Sequence, residues 1–353
     1  MIQKKRVIAL GFFDGIHIGH AALMRRALEI GKKANLVPSV ITFDAQPQNL
    51  VTDKNIPLIN SPEDRAGLLR RLFGIDDIFF LHFDKATASM PWDKFIDHLV
   101  DEFGARHLVA GNDFKFGHNG TGNSKLLARK CLESGLGCDV IPDVVYDGIV
   151  SSSTYIRQLL TAGDIERANA FLGHPHVLTD VVHYGYKLGR TLGTPTINMR
   201  FSAGVLLPAF GVYATKVYLE DSNVKSGEAP ATATQTDSAT QTDSATQTNS
   251  AAQTNSATQT DSAAQTDSTA QSDIDGHIGV TNVGIRPTVD DSGLVTAETH
   301  IVDFQRNLYG HQVRIEFYKR LRPEKKFSDV SGLKTQISID CEAASGYFLN
   351  KAK

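Results

Sequence analysis

The sequence predicts two units of different class: an α/β unit on a parallel sheet, then an antiparallel β-barrel with a terminal helix. Three observations predict this. Up to about residue 180, short apolar runs alternate with helical periodicity, as in successive βαβ units. Beyond that point, β-rich runs are separated by glycine turns, the pattern of an antiparallel barrel or sandwich. The chain has 353 residues, and at roughly 100–200 residues per domain that length favours two domains over one.

The elements follow in order. Arg6–Phe12 reads as a first buried strand, Ala21–Ala34 as a helix and Pro38–Phe43 as a strand. Glu63–Phe73 reads as a helix, Asp77–Phe83 as a strand, Asp93–Phe103 as a helix and His107–Ala110 as a strand. Ser124–Ser134 is a helix, Cys138–Ile141 a strand and Ile156–Ala162 a helix. Strands this uniformly apolar have both faces covered, which is the setting of a parallel sheet. The β-rich half contributes Val181–Tyr184, Gly211–Leu219, Ile278–Val283, Thr296–Val302 and Gln312–Leu321, and Val330–Tyr347 closes it as a helix. The domain expectation is residues 1–180 and 181–353, with the junction near 175–182.

Composition isolates one further segment. The whole chain is 41% hydrophobic with a formal charge of −3, but residues 222–276 carry one lysine, seven acids and few apolar side chains other than alanine. Without them the remainder has a charge of +3, a near-neutral globule that suggests neither a nucleic-acid nor a membrane-surface binder. The segment is a hexad repeat of TQTDSA type spanning Thr234–Asp275. Its small polar residues cannot recover the roughly 1–2 kcal/mol per residue that ordering costs, so it is expected to be a disordered loop at a hairpin tip. Closure entropy grows only slowly with loop length, so such an insert is tolerated.

Cys131, Cys138 and Cys341 are an odd number without metal-ligand spacing, which fits a reducing compartment. The apolar run after the basic N-terminus ends at Asp14 with no small-residue cleavage site, so it reads as a strand, not a signal peptide. No apolar stretch reaches membrane-spanning length. The expectation is a cytoplasmic protein.

The strongest chemical motif is Gly11-Phe12-Phe13-Asp14-Gly15-Ile16-His17-Ile18-Gly19-His20, directly after the first strand and opening a helix. In an open parallel sheet, ligands bind at the carboxyl ends of strands. A helix N-terminus offers free N–H groups to phosphate, and glycines let the backbone come close. His17 and His20 can then donate hydrogen bonds as charge builds on a triphosphate. Further on, Ser152, Ser153 and Thr154 form a helix N-cap, with Arg157 one turn in and able to reach a phosphate. Asp113 and Phe114, at a strand end, fit either a ring-binding edge or the core.

In the β-rich half, residues 185–198 hold Gly185, Lys187, Gly189, Arg190 and Gly193, followed by Thr196-Ile197-Asn198. Glycines with two cations suit a loop over phosphates. The Thr-x-Asn alternation puts two oxygens on one face of an extended segment, which suits Mg²⁺. Residue types alone leave a β-turn cluster and a phosphate loop equally open. The string does not fit the Walker A pattern.

Gly11–His20 resembles the HxGH signature of the nucleotidylyltransferase superfamily, in the form seen in bacterial bifunctional riboflavin kinase/FAD synthetases. Residues 42–47 resemble that family's TFxPxP segment, residues 111–117 its G-x-[ND]-F-x-F-G loop and residues 151–157 its S-S-T-x-I-R motif. Residues 189–198 resemble its GRxLGxPTxN kinase signature, with similar stretches at 208–213, 279–288, 298–304 and 308–310. The resemblance implies a Rossmann-like nucleotidylyltransferase unit and a riboflavin-kinase barrel. It implies riboflavin, FMN and ATP as substrates and Mg²⁺ or another divalent cation as cofactor. No nucleic-acid or membrane partner is expected, and self-association is not readable. It places the general base on Glu298, the metal ligands on Thr196 and Asn198, and the flavin contacts on Asp113 and Phe114. ATP and phosphate contacts fall on Gly11, Phe13, Asp14, Gly19, Ser152, Ser153, Thr154, Gly185, Lys187, Gly189, Arg190 and Gly193, and adenylyl-transfer catalysis on His17, His20 and Arg157. Ala45, Tyr155 and Thr194 depart from the family pattern; the first two are expected to loosen the first site slightly.

Overall fold

The computed structural model describes residues 4–51, 54–184, 195–220, 276–285 and 295–351. Gly185, Lys187, Gly189, Arg190, Gly193 and Thr194 lie outside the described residues, as does the hexad repeat.

Strands β1 (Arg6–Leu10), β2 (Val37–Phe43), β3 (Asp77–Leu81), β4 (Ala105–Gly111) and β5 (Gly137–Ile141) form a parallel sheet in the order β3-β2-β1-β4-β5. Side chains alternate across it. Val7, Ala9, Val40 and Val109 face helices α1 (Ile18–Ala34) and, after the short α2 (Pro47–Val51), α3 (Pro62–Phe73), where Met24, Ala27, Leu68 and Leu69 meet them. Ile8, Leu10, Ile41 and Leu108 face the other way. There, after the short α4 (Lys85–Ala88), α5 (Trp92–Phe103) brings Phe95 and Leu99, and α6 (Ser124–Glu133) brings Leu127. A small hairpin, β6 (Val145–Tyr146) and β7 (Ile149–Val150), then leads into α7 (Ser153–Ala162) and α8 (Ile165–Leu172).

The second sheet is antiparallel throughout. It joins β8 (His176–Val181), β9 (Thr196–Arg200), β10 (Gly211–Leu219), β11 (His277–Ile285), β12 (Val295–Ile301) and β13 (Gln312–Arg322) in the order β8-β13-β10-β11-β12-β9. The sheet curls until its ends meet: just beyond β8, His183 bridges Asn198 of β9, with its N–H donating to the Asn198 carbonyl at 2.9 Å. Residues Ile197, Met199, Tyr213, Val217, Ile315 and Phe317 fill the inside. The buried faces of α7 and α8 (Ile156, Leu159, Leu160, Ala168, Phe171) belong to that same core, so both helices pack against the barrel. Helix α9 (Val330–Lys351) covers part of the outer face through Ala344, Cys341, Tyr347 and Phe348.

One expected strand is displaced. The first strand of the β-rich half is His176–Val181, not Val181–Tyr184. His176, Val177 and Leu178 are the buried residues that pair with β13, and Val181 and Tyr184 stand exposed. The unexpected helix α8 is bounded by Asp164, whose carboxylate accepts from the Arg167 N–H, and by left-handed Gly173.

Candidate active sites

The first site lies where the strand order of the parallel sheet reverses, between the carboxyl ends of β1 and β4. A cleft of about 740 Å³ opens there. Gly11, Phe13, His17, Gly19, His20, Asp113, Phe114, Ser152, Ser153, Thr154 and Arg157 all line it. These side chains come from three separated stretches of sequence, and the fold brings them together.

The loop after β1 is strained. Phe13 (φ 53°) and the β-branched Ile16 (φ 45°) both occupy the left-handed region beside Gly15 (φ 85°). Such residues cost about 1–3 kcal/mol each and persist only where their surroundings hold them. Here they are held from several elements. The fully buried Asp14 carboxylate accepts from the N–H groups of Ile59 (2.9 Å) and Asn60 (3.2 Å) and from Arg157 Nη2 (2.5 Å). The Asp14 carbonyl accepts from Ser153 Oγ (2.8 Å), and the Phe12 carbonyl from Thr42 Oγ1 (2.7 Å). His174 Nε2 lies 3.0 Å from the Gly15 carbonyl. His174 was not marked by the sequence; nothing local sets it apart, because its partner is 159 residues away.

His17 caps α1: its Nδ1 accepts from the His20 N–H (3.4 Å). That contact leaves the proton of the neutral ring on Nε2, free to donate. The two rings stack with centroids 3.6 Å apart. A side chain on Gly19 would intrude on this arrangement, since a Cβ there falls 2.9 Å from His17 Cε1. Burial, with His174 nearby, pulls the His17 pKa down to about 4, and burial with His17 and Arg65 nearby lowers that of His20. The pair is therefore neutral at pH 7, a set of hydrogen-bond donors and not of cations.

The N-terminus of α7 opens on the same cleft, capped by Ser152, whose Oγ accepts from the Tyr155 N–H. Two helix N-termini thus converge on one cavity, an arrangement that favours an anion. Three expectations shift in role. Asp14 points its carboxylate into the protein and holds the loop. Arg157, while lining the cleft, is also tied to Asp14 through Nη2 and to the Pro57 carbonyl through Nε (2.8 Å). Tyr155 packs its ring on Phe171 and accepts from Arg167 Nε (3.1 Å), so this departure from the family pattern takes part in α7–α8 packing. Phe114 stacks on Phe116 at the rim, beside exposed Asp113.

The second site is set by strand register. Glu298 on β12 lies directly opposite Asn198 on β9 and Asn282 on β11, and His300 lies opposite Thr196. Residues opposite one another share a face of the sheet, so Thr196, Asn198, Asn282, Glu298 and His300 all stand on the outer face. Two clefts flank them. One, of about 230 Å³, runs under α9 past Glu298, His300, Asn282 and Arg322. The other, of about 250 Å³, runs past Pro195, Asn198, Phe304, Arg306 and Tyr309. Thr196 lines both. Asn198 Oδ1 is buried without a hydrogen-bond partner among the described residues. A bare hard oxygen beside a threonine hydroxyl is the donor set a Mg²⁺ ion takes, so the residues fit that cofactor. Asn282 was legible only as part of a longer string, and its place beside Glu298 comes from pairing.

Comparison with known proteins matches this division. A family model described as FAD synthetase matches residues 1–155, and one described as riboflavin kinase matches residues 172–348. The bifunctional riboflavin kinase/FMN adenylyltransferase of Bacillus subtilis is 30% identical over 99% of this chain and 95% of its own. That of Escherichia coli K12 is 30% identical over 98% and 94%. A solved structure titled as a macrolide-efflux protein from Streptococcus pneumoniae superposes with a TM-score of 0.72 at 25% identity, over 97% of this chain and 94% of its own. Among the described residues, no helix is long and apolar enough to cross a membrane. With two matching family models in chain order, each over its own site, and full-length relatives of both activities, the chain belongs to the bifunctional riboflavin kinase/FMN adenylyltransferase family.

Proposed function

We propose that this chain makes FAD from riboflavin in two ATP-consuming steps, one at each site. The observation that carries this reading is the coexistence of a neutral histidine pair at two helix N-termini with a register-matched Asn198–Glu298 pair.

On the barrel, Glu298 takes the proton of the ribityl hydroxyl as its oxygen bonds to the γ-phosphorus of ATP, and ADP leaves. A positioned carboxylate of this kind contributes roughly 10²–10⁴-fold. Mg²⁺ or another divalent cation, held by Thr196 and Asn198, supplies neutralisation of the phosphate charge when bound. The flavin takes the cleft under α9, where the base stands, and the nucleotide the cleft past Phe304 and Tyr309. Gly185, Lys187, Gly189, Arg190 and Gly193 form the loop over its phosphates; their residue types support this.

In the α/β unit, a phosphate oxygen of FMN attacks the α-phosphorus of a second ATP and pyrophosphate leaves. His17 and His20 donate hydrogen bonds to the phosphate oxygens, and the N–H groups of Ser153 and Thr154 add the field of α7. Gly11 and Gly19 give the backbone its close approach. Asp113 and Phe114 contact the flavin at the rim, while Asp14 and Arg157 hold the loop. No covalent enzyme intermediate is involved. The unit boundary is placed near residue 180, residues 222–276 are read as a dispensable insert, and the enzyme is placed in the cytoplasm, where ATP is supplied.

The test is product analysis. Given riboflavin and MgATP, the chain should yield FMN and then FAD by chromatography. Absence of any flavin product would overturn the reading.

A further inference from the structure

Arg65 is fully buried, a costly place for a guanidinium. It leaves the first turn of α3 and reaches the carboxyl ends of β1 and β2. Its Nη1 donates to the carbonyls of Phe12 (3.0 Å) and Phe43 (2.8 Å) and to Thr42 Oγ1 (3.1 Å). Its guanidinium carbon sits 4.7 Å from the Phe12 ring centroid and 5.8 Å from that of Phe80. Nε and Nη2 are sealed from solvent with no hydrogen-bond partner among the described residues. No carboxylate lies within ion-pair distance among those residues either; Asp14, Asp44 and Glu63 act on it only from farther away.

Three bonds to the protein account for a staple between two strand ends, but not for the charge. A neutral donor would close the same gap without the desolvation. The charge does have an object. Phe12 and Phe43, whose carbonyls it holds, both line the phosphate-accepting cleft, and so does His20, close enough to feel the cation. In a low-dielectric setting a unit charge acts across several ångströms with little screening.

We infer that Arg65 is a positioning residue for adenylyl transfer, fixing the ends of β1 and β2 while setting a permanent positive charge behind the cleft for the anionic tail of ATP. This rests on the FMN adenylylation reading, so the wild-type chain is assayed first. Wild-type protein that forms no FAD from FMN overturns that reading; the variants then address Arg65 alone.

Arg65→Gln keeps a donor and removes the charge. In FMN adenylylation, its KM for ATP should rise about ten-fold, whereas the inhibition constant of adenosine, which lacks phosphate, should stay within about two-fold. Arg65→Lys should bring the ATP KM back to within about three-fold of wild type, with kcat still reduced because an ammonium cannot reproduce the planar fork. Riboflavin phosphorylation by the same samples reports that the chain is folded. A rise in the adenosine constant matching that for ATP would show a merely structural role and overturn the inference. So would a lysine variant as impaired in ATP KM as the glutamine variant. If Arg65→Gln does not fold, the lysine variant decides: ATP KM and adenosine constant rising together overturn the proposal, and a near-normal ATP KM upholds it.

Discussion

The two sites solve the same problem, orienting ATP against a flavin, by opposite means. In the α/β unit the machinery is packed into a strained loop whose carbonyls and carboxylate are held from β2, α7 and the approach to β8. On the barrel it stands on regular strands, with Asn198, Glu298 and Asn282 aligned by the ladder. One site stores conformational strain and needs its scaffold. The other stores none in its described strands, and only the pairing register has to be right. The difference predicts that the two activities will separate under mutation, and that damage beyond the reacting groups will fall on the first.

The largest separation should come from the reacting groups themselves. Glu298→Gln should lower riboflavin phosphorylation by roughly 10²–10⁴-fold, while FMN supplied directly is still converted to FAD. His20→Ala should do the reverse, letting FMN accumulate as FAD formation falls by about 10²–10³-fold, the scale for losing a donor to developing charge. Chromatography of flavin products over time reads both. Equal loss of the two steps in either variant would break the division of labour.

Next comes the scaffold. Asp14→Asn keeps the shape of the side chain but leaves the Arg157 guanidinium uncompensated. Breaking a buried pair in this way costs about 3–5 kcal/mol. Because α7 and α8 share the barrel's core, that cost should appear in global unfolding as well as in adenylylation. Urea unfolding checks it: a variant as stable as wild type would mean that the loop is not held through Asp14.

The contrast also explains what could be read in advance. The HxGH loop is contiguous, so its residue types, spacing and position after a strand all sit within ten residues. Its location at the carboxyl end of a strand follows from the alternation of strands and helices, whereas the reversal of strand order between β1 and β4 appears only in the fold. Long-range holding was not legible: nothing near Asp14 in sequence reveals that Ile59 and Asn60 turn their N–H groups toward it, or that Arg157 reaches it from α7. Four of the six barrel strands were legible as elements; β9 was not read as a strand, and β8 was displaced because Val181 and Tyr184 are apolar by type but exposed in place. Glu298 was legible only by resemblance, since a lone acid on a strand has no local mark. What places it opposite Asn198 is a pairing across a hundred residues of chain.

The smallest effect per increment is on stability against pH, and its sign follows from burial. His17 is held at about 4 and His176 at about 3 by desolvation, and His20 and His174 are lowered from the same cause. The unfolded chain protonates these rings near 6.5 and the folded chain does not, so stability is full above that pH and lost as pH falls toward 4. Each histidine withdraws at most about 1.4 kcal/mol per pH unit in that window. Asp64 opposes them: burial raises its pKa to about 6, so below that value the folded state keeps a proton the unfolded state releases. Stability should therefore fall ever more steeply as pH drops from 6.5 toward 5, with Asp64 offsetting only one of the four histidine protons below pH 6. All five groups belong to the α/β unit or its junction with the barrel. Urea midpoints at half-unit steps from pH 7.5 to 5 check the shape, and Asp64→Asn should make the fall below pH 6 steeper still. A midpoint that does not fall between pH 7 and 6 would mean that these rings are solvated, and the buried, scaffold-held first site would lose its contrast with the second.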